Sequence, residues 1–253
     1  MHEFLSTWYG MTIFIAFDVL AGIALIAICY RFFFKRLFDI LFSAVCLILT
    51  SPVFLWVYLK YRTYKKSGGE VSGFLRRDPA VGKRGETVAM TTFQTLAPDG
   101  SVAGEYGKGM QERKVRKLPR LLDVFWGRAT FIGVSPVCFA DAAFLDEEGE
   151  LRYESRIGLI SPIPEEKKQG LPEDWLDAES RYAHGYTLFW DIKVFFGWLL
   201  KTIRGEKAEE AVLGYAKSLA ERAIISKEEY ESVLESAAEE EKEFYAPQNK
   251  GTV

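Results

Sequence analysis

Two long apolar stretches fill most of the first sixty residues, and they constrain the fold more than any other feature. The first reads MTIFIAFDVLAGIALIAICYRFFF at 11–34, and roughly 20 apolar residues suffice to cross the hydrocarbon core of a bilayer. No basic segment precedes it and no small-residue cleavage site follows it, so it does not have the pattern of a secretory signal peptide. The sequence therefore predicts an N-terminal transmembrane helix within residues 1–34.

Asp18 is the one acidic residue inside this first stretch. A carboxylate in the membrane costs free energy unless it is neutral, paired or close to the interface. Two interpretations stay open. Asp18 contacts a helix of a partner protein, or it is a protonated or interfacial side chain.

The second stretch, FDILFSAVCLILTSPVFLWVYL at 38–59, has basic residues at both of its ends. Because positive residues favour the cytoplasmic side, both ends are predicted to lie there. Ser51 and Pro52 interrupt the stretch, and a proline removes a helical hydrogen bond and kinks the chain. These features predict a re-entrant helix over 36–60 that enters and leaves by the same leaflet; an ordinary second span is the alternative. The basic residues are Arg31, Lys35 and Arg36 before it and Lys60, Arg62, Lys65 and Lys66 after it.

Composition argues against several classes of function. The net charge is −3, which gives no overall basic signal for nucleic acid. Cys29, Cys46 and Cys138 form no CxxC pair, so neither a disulfide framework nor structural zinc is expected. With only His2 and His184, histidine-based metal or triad chemistry has little material. No metal site and no cofactor are predicted from these residues.

Hydrophobic periodicity and turn residues predict an α+β fold that is mainly α. TVAMTTF at 87–93 is a predicted strand, and the segments 97–109 and 158–175 are predicted loops because glycine and proline are frequent in them. A helix is predicted from about 111, with Pro119 kinking or restarting it. Further helices are predicted over 137–155, 186–205 and 206–245.

Two of these helices have features that bear on function. The helix at 186–205 is rich in aromatic residues on one apolar face, which fits either a membrane interface or a core helix. In the acidic tail at 206–253, Ser226 and Glu229 form a capping box, and two short helices joined near 224–226 would form a hairpin. The tail is either an oligomerisation element or a helix that packs on its own domain.

Several motifs, taken together, resemble one family. KRLFDILFSAVCLILTSPVFL at 35–55 looks like the opening of the bacterial sugar transferases, the monotopic phosphoglycosyl transferases. RRDPAVGKRG and TTFQTL are similar to the family patterns Q-x-R-x-G-x-x-G and K-F-R-T-M, and Tyr182 with TLFWDIKVFFGWLLKT resembles its Y-Y and S-x-x-x-D-L-K-I-L segment. The segment ending in KLPRLLDVFWGRATFIGVSP aligns without gaps with D-E-L-P-Q-L-x-N-V-x-x-G-x-M-S-x-x-G-P-R-P. The resemblance covers residues 35–205.

This resemblance implies both a fold and an activity. Family members have a re-entrant helix broken at Ser-Pro, and they join a sugar phosphate from a UDP-sugar to polyprenol phosphate, releasing UMP. An Asp-Glu pair opens the D-E-L-P motif; its Asp attacks the diphosphate beside a magnesium ion, since the step needs a carboxylate nucleophile and a cation that offsets phosphate charge. The implied location is the bacterial inner membrane, with the main domain on the cytoplasmic side.

The gapless alignment places Arg116 and Lys117 on the two acids of that pair. Arginine stays protonated at any working pH, and a local change from about −2 to about +2 would repel the metal. Other polar positions differ as well: Thr92, Gln94 and Ser135 stand where the family has basic residues. The matching positions are apolar or turn residues, so the scaffold is kept while the catalytic positions are not.

Three functional hypotheses follow. The first is a non-catalytic homologue that acts as a membrane subunit or regulator in surface-polysaccharide synthesis, in a hetero-oligomer with an active paralogue or another glycan-assembly protein. The second is an active transferase with magnesium and a relocated acid, chosen from Asp123, Asp141 and Asp146. The third is a membrane scaffold that binds neither substrate.

The cations at the site have two possible roles. They bind an anion such as the phosphate of a membrane lipid, including polyprenol phosphate, because guanidinium groups suit phosphate geometry. Alternatively they pair with acids of the tail or of a partner. The residues concerned are Arg76, Arg77, Lys83, Arg116 and Lys117, with Arg84 nearby.

Overall fold

Helices dominate the fold, and they surround two small two-stranded sheets. The computed structural model describes residues 8–98, 100–112, 115–145, 150–163, 171–204 and 214–249. The helices are α1 Trp8–Cys29, α2 Lys35–Lys66, α3 Gly104–Glu112, α4 Arg120–Trp126, α5 Phe139–Ala142, α6 Pro172–Gly185, α7 Leu188–Ile203, α8 Tyr215–Glu221 and α9 Lys227–Asn249. The strands are β1 Leu75–Val81, β2 Thr87–Phe93, β3 Thr130–Ile132 and β4 Gly158–Ile160.

The two apolar stretches form α1 and α2, which are joined by a π-helical turn at Tyr30–Phe34. Within the described residues, α2 is the one helix long and apolar enough to cross a membrane, and Met11–Leu25 in α1 is a shorter apolar helix. Only 11% of the most apolar window of α2 is buried, so α2 is not the central helix of a soluble core. Its few buried side chains (Lys35, Asp39, Ser43 and Val57) face the rest of the domain.

Helix α2 stays helical on both sides of Pro52. Proline has no N–H, so the carbonyl of Ile48, four residues earlier, loses its usual backbone donor. The hydroxyl of Ser51 donates a hydrogen bond to that carbonyl at 2.8 Å. The Ser-Pro pair thus removes one backbone hydrogen bond and supplies a side-chain substitute for it.

Replacing Ser51 with alanine is expected to lower the free energy of unfolding by about 1–2 kcal/mol in mixed micelles, because the Ile48 carbonyl is left without a donor. Thr63→Ala is the matched control. The Thr63 hydroxyl likewise donates to a backbone carbonyl of α2, that of Leu59, at 2.9 Å, but the Leu59 carbonyl keeps its backbone donor because residue 63 is not proline. Denaturant titration of both variants is the measurement, and equal losses would show that the Ser51 hydroxyl has no such role.

The two sheets differ in their pairing. Strands β1 and β2 form an antiparallel hairpin in which Leu75 pairs with Phe93 and Val81 with Thr87. Strands β3 and β4 pair in parallel, with Thr130 opposite Gly158. The strand predicted over 87–93 is therefore present, whereas β3 and β4 had no signal in the sequence because three residues are too few to show a period.

Close approach of the chain explains the glycine in the GVSP segment. A Cβ added at Gly133 would lie 2.3 Å from the Arg156 carbonyl oxygen, and one added at Gly158 would lie 2.2 Å from the Gly133 nitrogen. Real side chains do not tolerate such distances, so both positions need glycine where the chain after β3 approaches the start of β4. Gly133, which matches a glycine of the family motif, is therefore explained by this backbone contact.

The core has three apolar clusters. The central cluster joins α4, β3 and α6 through Val124, Phe131 and Tyr182. A second packs α2 against the hairpin and α3 through Val57, Phe93 and Met110. The third includes the first tail helix: Val137 of the chain preceding α5, Trp175 and Leu176 of α6, Tyr215 and Leu219 of α8, and Ile163.

Three predictions of secondary structure were wrong. The helix predicted over 137–155 is present as α5 and a single 3-10 turn at Leu151–Glu154, with residues 146–149 outside the described part; Phe144 and Leu145 pack on the third cluster instead of continuing one helical face. The loop predicted at 97–109 contains most of α3, because buried Tyr106 and Met110 anchor a glycine-rich helix against α2. The loop predicted at 158–175 contains β4 and the start of α6.

The tail forms α8 and α9. The Ser226 hydroxyl accepts a hydrogen bond from the Glu229 backbone N–H at 3.1 Å, as expected for a helix N-cap. The tail packs on its own domain: the backbone N–H of Ala216 donates to the Asp141 carboxylate at 2.9 Å, and Tyr245 near the end of α9 reaches strand β1.

Candidate functional site

The KRLFD segment at the start of α2 attaches this helix to the globular domain. Arg36 donates to the carbonyl oxygens of Val124 and Phe125 at 2.6 and 2.8 Å, in the last turn of α4. Gly127 ends that helix with φ at 87°, and a Cβ there would lie 2.8 Å from the Arg36 guanidinium. Asp39 accepts from the Thr130 hydroxyl and the Phe131 N–H at 2.7 and 3.0 Å.

Lys35 is the centre of a buried polar network next to this attachment. Its ammonium donates to the carboxylate of Asp191 in α7 at 2.7 Å and to the Tyr182 hydroxyl at 2.8 Å. The hydroxyls of Tyr30 and Tyr182 donate to the two oxygens of Asp191, each at 2.6 Å. Burial, together with the Asp191 charge, raises the pKa of Tyr182 well above its ordinary value. The network joins α2, α6 and α7, and all four of its residues are buried.

A second cluster lies on strand β1, and its centre is Asp78. Arg76 donates to the Asp78 carboxylate at 2.6 Å, and the Thr92 hydroxyl on the partner strand donates to it at 3.0 Å. The guanidinium of Arg116 lies 3.8 Å from the same carboxylate. We call Arg76, Asp78 and Arg116 the hairpin cluster. The side chains of Asp78 and Arg116 are 25% and 33% exposed, so solvent and small ligands reach them.

Tyr245, in the last turns of α9, completes this cluster. Its hydroxyl accepts a hydrogen bond from Arg76 at 3.1 Å and lies 3.5 Å from Asp78. Its ring lies 5.3 Å from the Arg76 guanidinium, a cation–π contact. Burial raises the pKa of the Tyr245 hydroxyl, against the opposite effect of Arg76, so the hydroxyl is neutral at ordinary pH.

The structure brings together only part of the predicted cation set. Side chains alternate along a strand, so Arg76 and Asp78 share one face of β1 and Arg77 lies on the other. Lys83 lies in the turn at Lys83–Gly85 that joins β1 to β2. Lys117 follows Arg116 in the 3-10 turn Val115–Lys117 and is half-buried. Of the predicted cations, Arg76 and Arg116 therefore both lie next to the Asp78 carboxylate.

The acids suggested as substitutes are placed elsewhere. Asp123 is fully buried and accepts hydrogen bonds from the Thr91 N–H and hydroxyl and from Arg128, at 2.6, 2.9 and 2.7 Å. Asp141 accepts from the first turn of α8. Asp146 lies outside the described residues. Asp123 and Asp141 thus serve as acceptors for the protein's own donors.

A buried ion pair lies behind Ser135, which stands at a family arginine position. Arg152 pairs with Glu179 of α6, and its Nη2 also donates to the Ser135 carbonyl. Glu179 in turn accepts from the Ser135 N–H at 2.6 Å. The guanidinium of Arg152 thus binds the backbone of the GVSP segment from a different part of the chain, and it is fully buried.

Asp18 lies in the middle of α1, and its side chain is exposed. Within the described part of the chain, no hydrogen bond or ion pair reaches it. Its predicted contact with a partner helix stays a prediction.

Sequence reasoning missed Asp78 and Tyr245. Asp78 had a usable signal, because a charged residue two positions after Arg76 on a strand shares its face. Tyr245 had none, since nothing in a tail helix indicates which surface it contacts.

The donor set at the hairpin cluster does not fit magnesium. Magnesium in such sites is held by carboxylates and substrate phosphates, but the single carboxylate here is already paired with two guanidiniums. Over the described residues, no group of three His, Cys, Asp or Glu side chains is arranged to hold a metal ion.

Two comparisons with known proteins extend this picture. A family model described as bacterial sugar transferase matches residues 30–205. No curated protein matches the chain. The matched range begins at the π-helical turn and ends just after α7, so α1 and both tail helices lie outside it.

Proposed function

The chain belongs to the bacterial sugar transferase family, and from that premise we propose that it is a non-catalytic member that acts as a membrane subunit or regulator in glycan biosynthesis. The observation that carries this proposal is the hairpin cluster. Our alignment with the D-E-L-P motif assigns Arg116 to the position of the family nucleophile, and the Asp78 carboxylate beside Arg116 is paired with two arginines. A carboxylate held in this way is a poor nucleophile for a diphosphate.

The surface of the molecule supports a membrane location. Helix α2 exposes large apolar side chains, including Leu41, Ile48 and Leu49, over most of its length, which is favourable only in lipid or against another protein. Exposed aromatic and aliphatic side chains also cover α7, as expected for a helix in the membrane interface; these are Phe189, Trp190, Ile192, Phe196, Trp198, Leu200 and Ile203. We place α2 as the re-entrant helix of an inner-membrane protein, with the globular domain on the cytoplasmic side.

The proposed partner is an active family member or another glycan-assembly protein, held in a hetero-oligomer. The scaffold supports this proposal, because residues of the KRLFD segment, Gly127, Gly133 and Asp191 hold the fold through contacts within the domain. A folded domain of this family without its own acid pair can still present the family's surfaces to a partner. Asp18 in α1 is the proposed contact within the membrane.

The hairpin cluster is the proposed anion site. Arg76 and Arg116 converge on one carboxylate, and together they leave a net positive charge of about one on a partly exposed surface. Such a pair can hold the phosphate of a nucleotide or of polyprenol phosphate without turning it over.

A second candidate function is an active transferase in which Asp78 replaces the lost acid. The favouring observation is its location, within 3.8 Å of the Arg116 guanidinium and partly exposed. For Asp78 to attack phosphorus, Arg76 would have to leave the carboxylate.

The experiment is the release of UMP from UDP-sugars mixed with polyprenol phosphate and magnesium, using full-length protein in nanodiscs. We expect no release above the protein-free blank for the wild type and for Asp78→Asn. Asp177→Asn is the matched control, since that carboxylate is exposed on α6 and its ion pair within the described residues is with Arg181.

Sustained release that falls about 100-fold or more in Asp78→Asn and stays unchanged in Asp177→Asn would establish the enzyme instead. If the wild type neither turns over nor binds UDP-sugar or polyprenol phosphate, the protein is a scaffold and the anion site is wrong.

A further inference from the structure

Helix α9 lies outside the residues that match the family, yet it supplies a side chain to the family's catalytic region. Tyr245 contacts Arg76 by a hydrogen bond and by its ring, and its hydroxyl lies close to Asp78. The same guanidinium would have to contact any phosphate bound at the hairpin cluster. The tail of this chain and an anionic ligand therefore compete for Arg76.

The packing of α9 is weak enough for such competition. From Lys227 to Ala246 none of its side chains is buried, and five are half-buried: Tyr230, Val233, Ala237, Phe244 and Tyr245. Segments with few buried apolar contacts open at low free energy while the rest of the fold persists. By contrast, α8 buries Tyr215, Ala216 and Leu219 in the third core cluster. The structure thus has a firmly packed tail helix followed by a loosely packed one.

Charge favours the closed position in the absence of ligand. Helix α9 carries eight glutamates and two lysines over Lys227–Asn249. An acidic helix beside a cationic cluster is attracted to it, and it also repels an approaching anion. Both effects are screened by salt.

We propose that α9 is a displaceable cover over the hairpin cluster: Tyr245 holds Arg76 in the closed state, and a diphosphate group releases the helix by taking its place. This inference rests on the anion binding proposed above, and it adds the element that controls access to the site. Because only open molecules bind the ligand, the apparent affinity equals the affinity of the open state multiplied by the fraction of molecules that are open.

The test uses the full-length protein in nanodiscs with inorganic pyrophosphate as the probe. Titration calorimetry is expected to show binding about tenfold tighter to Tyr245→Ala than to the wild type, because the open state dominates in the variant. Alanine is the best helix former, so α9 itself persists in this variant. Tyr245→Phe keeps the ring on Arg76, so its affinity for pyrophosphate is expected to lie between those of the wild type and Tyr245→Ala. Leu234→Ala, which removes an exposed apolar side chain of α9, is the matched control and should change the affinity less than about twofold.

Hydrogen exchange gives a second readout that does not depend on affinity. Pyrophosphate is expected to speed exchange of the backbone amides in the second half of α9, and Tyr245→Ala is expected to do so without ligand. The amides of α8 should not respond. Three results would each refute the proposal that α9 is a displaceable cover. Pyrophosphate could bind the wild type and Tyr245→Ala with equal affinity, it could bind neither, or it could bind without changing hydrogen exchange in α9.

These outcomes are separate from the test of catalysis. UMP release would refute the non-catalytic proposal and leave the exchange result readable. Unchanged hydrogen exchange in α9 when pyrophosphate binds would refute the displaceable cover, and it would not affect the conclusion from the UMP-release experiment.

Discussion

Replacing Asp191 with alanine is expected to lower the free energy of unfolding by about 3–5 kcal/mol, because it leaves the ammonium of Lys35 buried without a counter-ion. Lys35 and Asp191 are 8% and 6% exposed in their side chains and lie 2.7 Å apart. The hydroxyl of Tyr30 loses its acceptor in the same step, and the hydroxyl of Tyr182 loses the shorter of its two hydrogen bonds while it keeps the Ile132 carbonyl at 3.1 Å. Denaturant titration in mixed micelles, followed by tryptophan fluorescence, is the measurement.

Two further variants show whether the charge is the cause. Lys193→Ala, on the same helix but exposed, should change stability by less than about 0.5 kcal/mol. Lys35→Met combined with Asp191→Leu should cost less than Asp191→Ala alone, since it leaves no charge behind. A loss below about 1 kcal/mol for Asp191→Ala would mean that water replaces the carboxylate and that the network does not hold α2, α6 and α7 together.

The second large effect is expected at Arg152. Arg152→Ala should lower the free energy of unfolding by about 3–5 kcal/mol, because Glu179 keeps a buried charge with no cation. The side chains of Arg152 and Glu179 are 1% and 0% exposed. The Ser135 carbonyl also loses its donor, so the GVSP segment is expected to become mobile before the rest unfolds.

Arg181→Ala is the matched control for Arg152→Ala. Arg181 also pairs with an acid of α6, but at 3.3 Å and with both side chains more than half exposed, so its loss should cost no more than about 0.5 kcal/mol. Comparable losses in the two variants would mean that the Arg152–Glu179 pair is hydrated in solution. Amide exchange of Val134 and Ser135 would then separate local from global opening.

These two pairs also explain why the family pattern persists in part of the chain. Residues that match the family hold helices and turns together: Arg36 binds the end of α4, Gly133 permits the β3–β4 crossing, and Asp191 neutralises Lys35. Two of the positions that differ from the family pattern, Arg116 and Thr92, lie together around Asp78, whereas a third, Ser135, lies at the buried Arg152–Glu179 pair.

Local sequence determined much of this protein. Apolar stretches of sufficient length predicted α1 and α2, the β-prone residues of TVAMTTF predicted β2, and the Ser226–Glu229 pattern predicted the start of α9. Each signal resides in neighbouring residues, because helix caps and periodicity act over one or two turns. The same reasoning, together with the motifs, identified the family.

Only the tertiary structure decided what the polar side chains do. Asp123 and Asp141 were candidate catalytic acids by type, but packing places their oxygens against the protein's own donors. Asp78 meets Arg116, and Tyr245 meets Arg76, across large separations in the chain. Such contacts depend on how β1, the Val115–Lys117 turn and α9 come together, and no local pattern encodes that arrangement. The type of each charged side chain can thus be read from the sequence, but its hydrogen-bond and ion-pair partners are decided only by the folded structure.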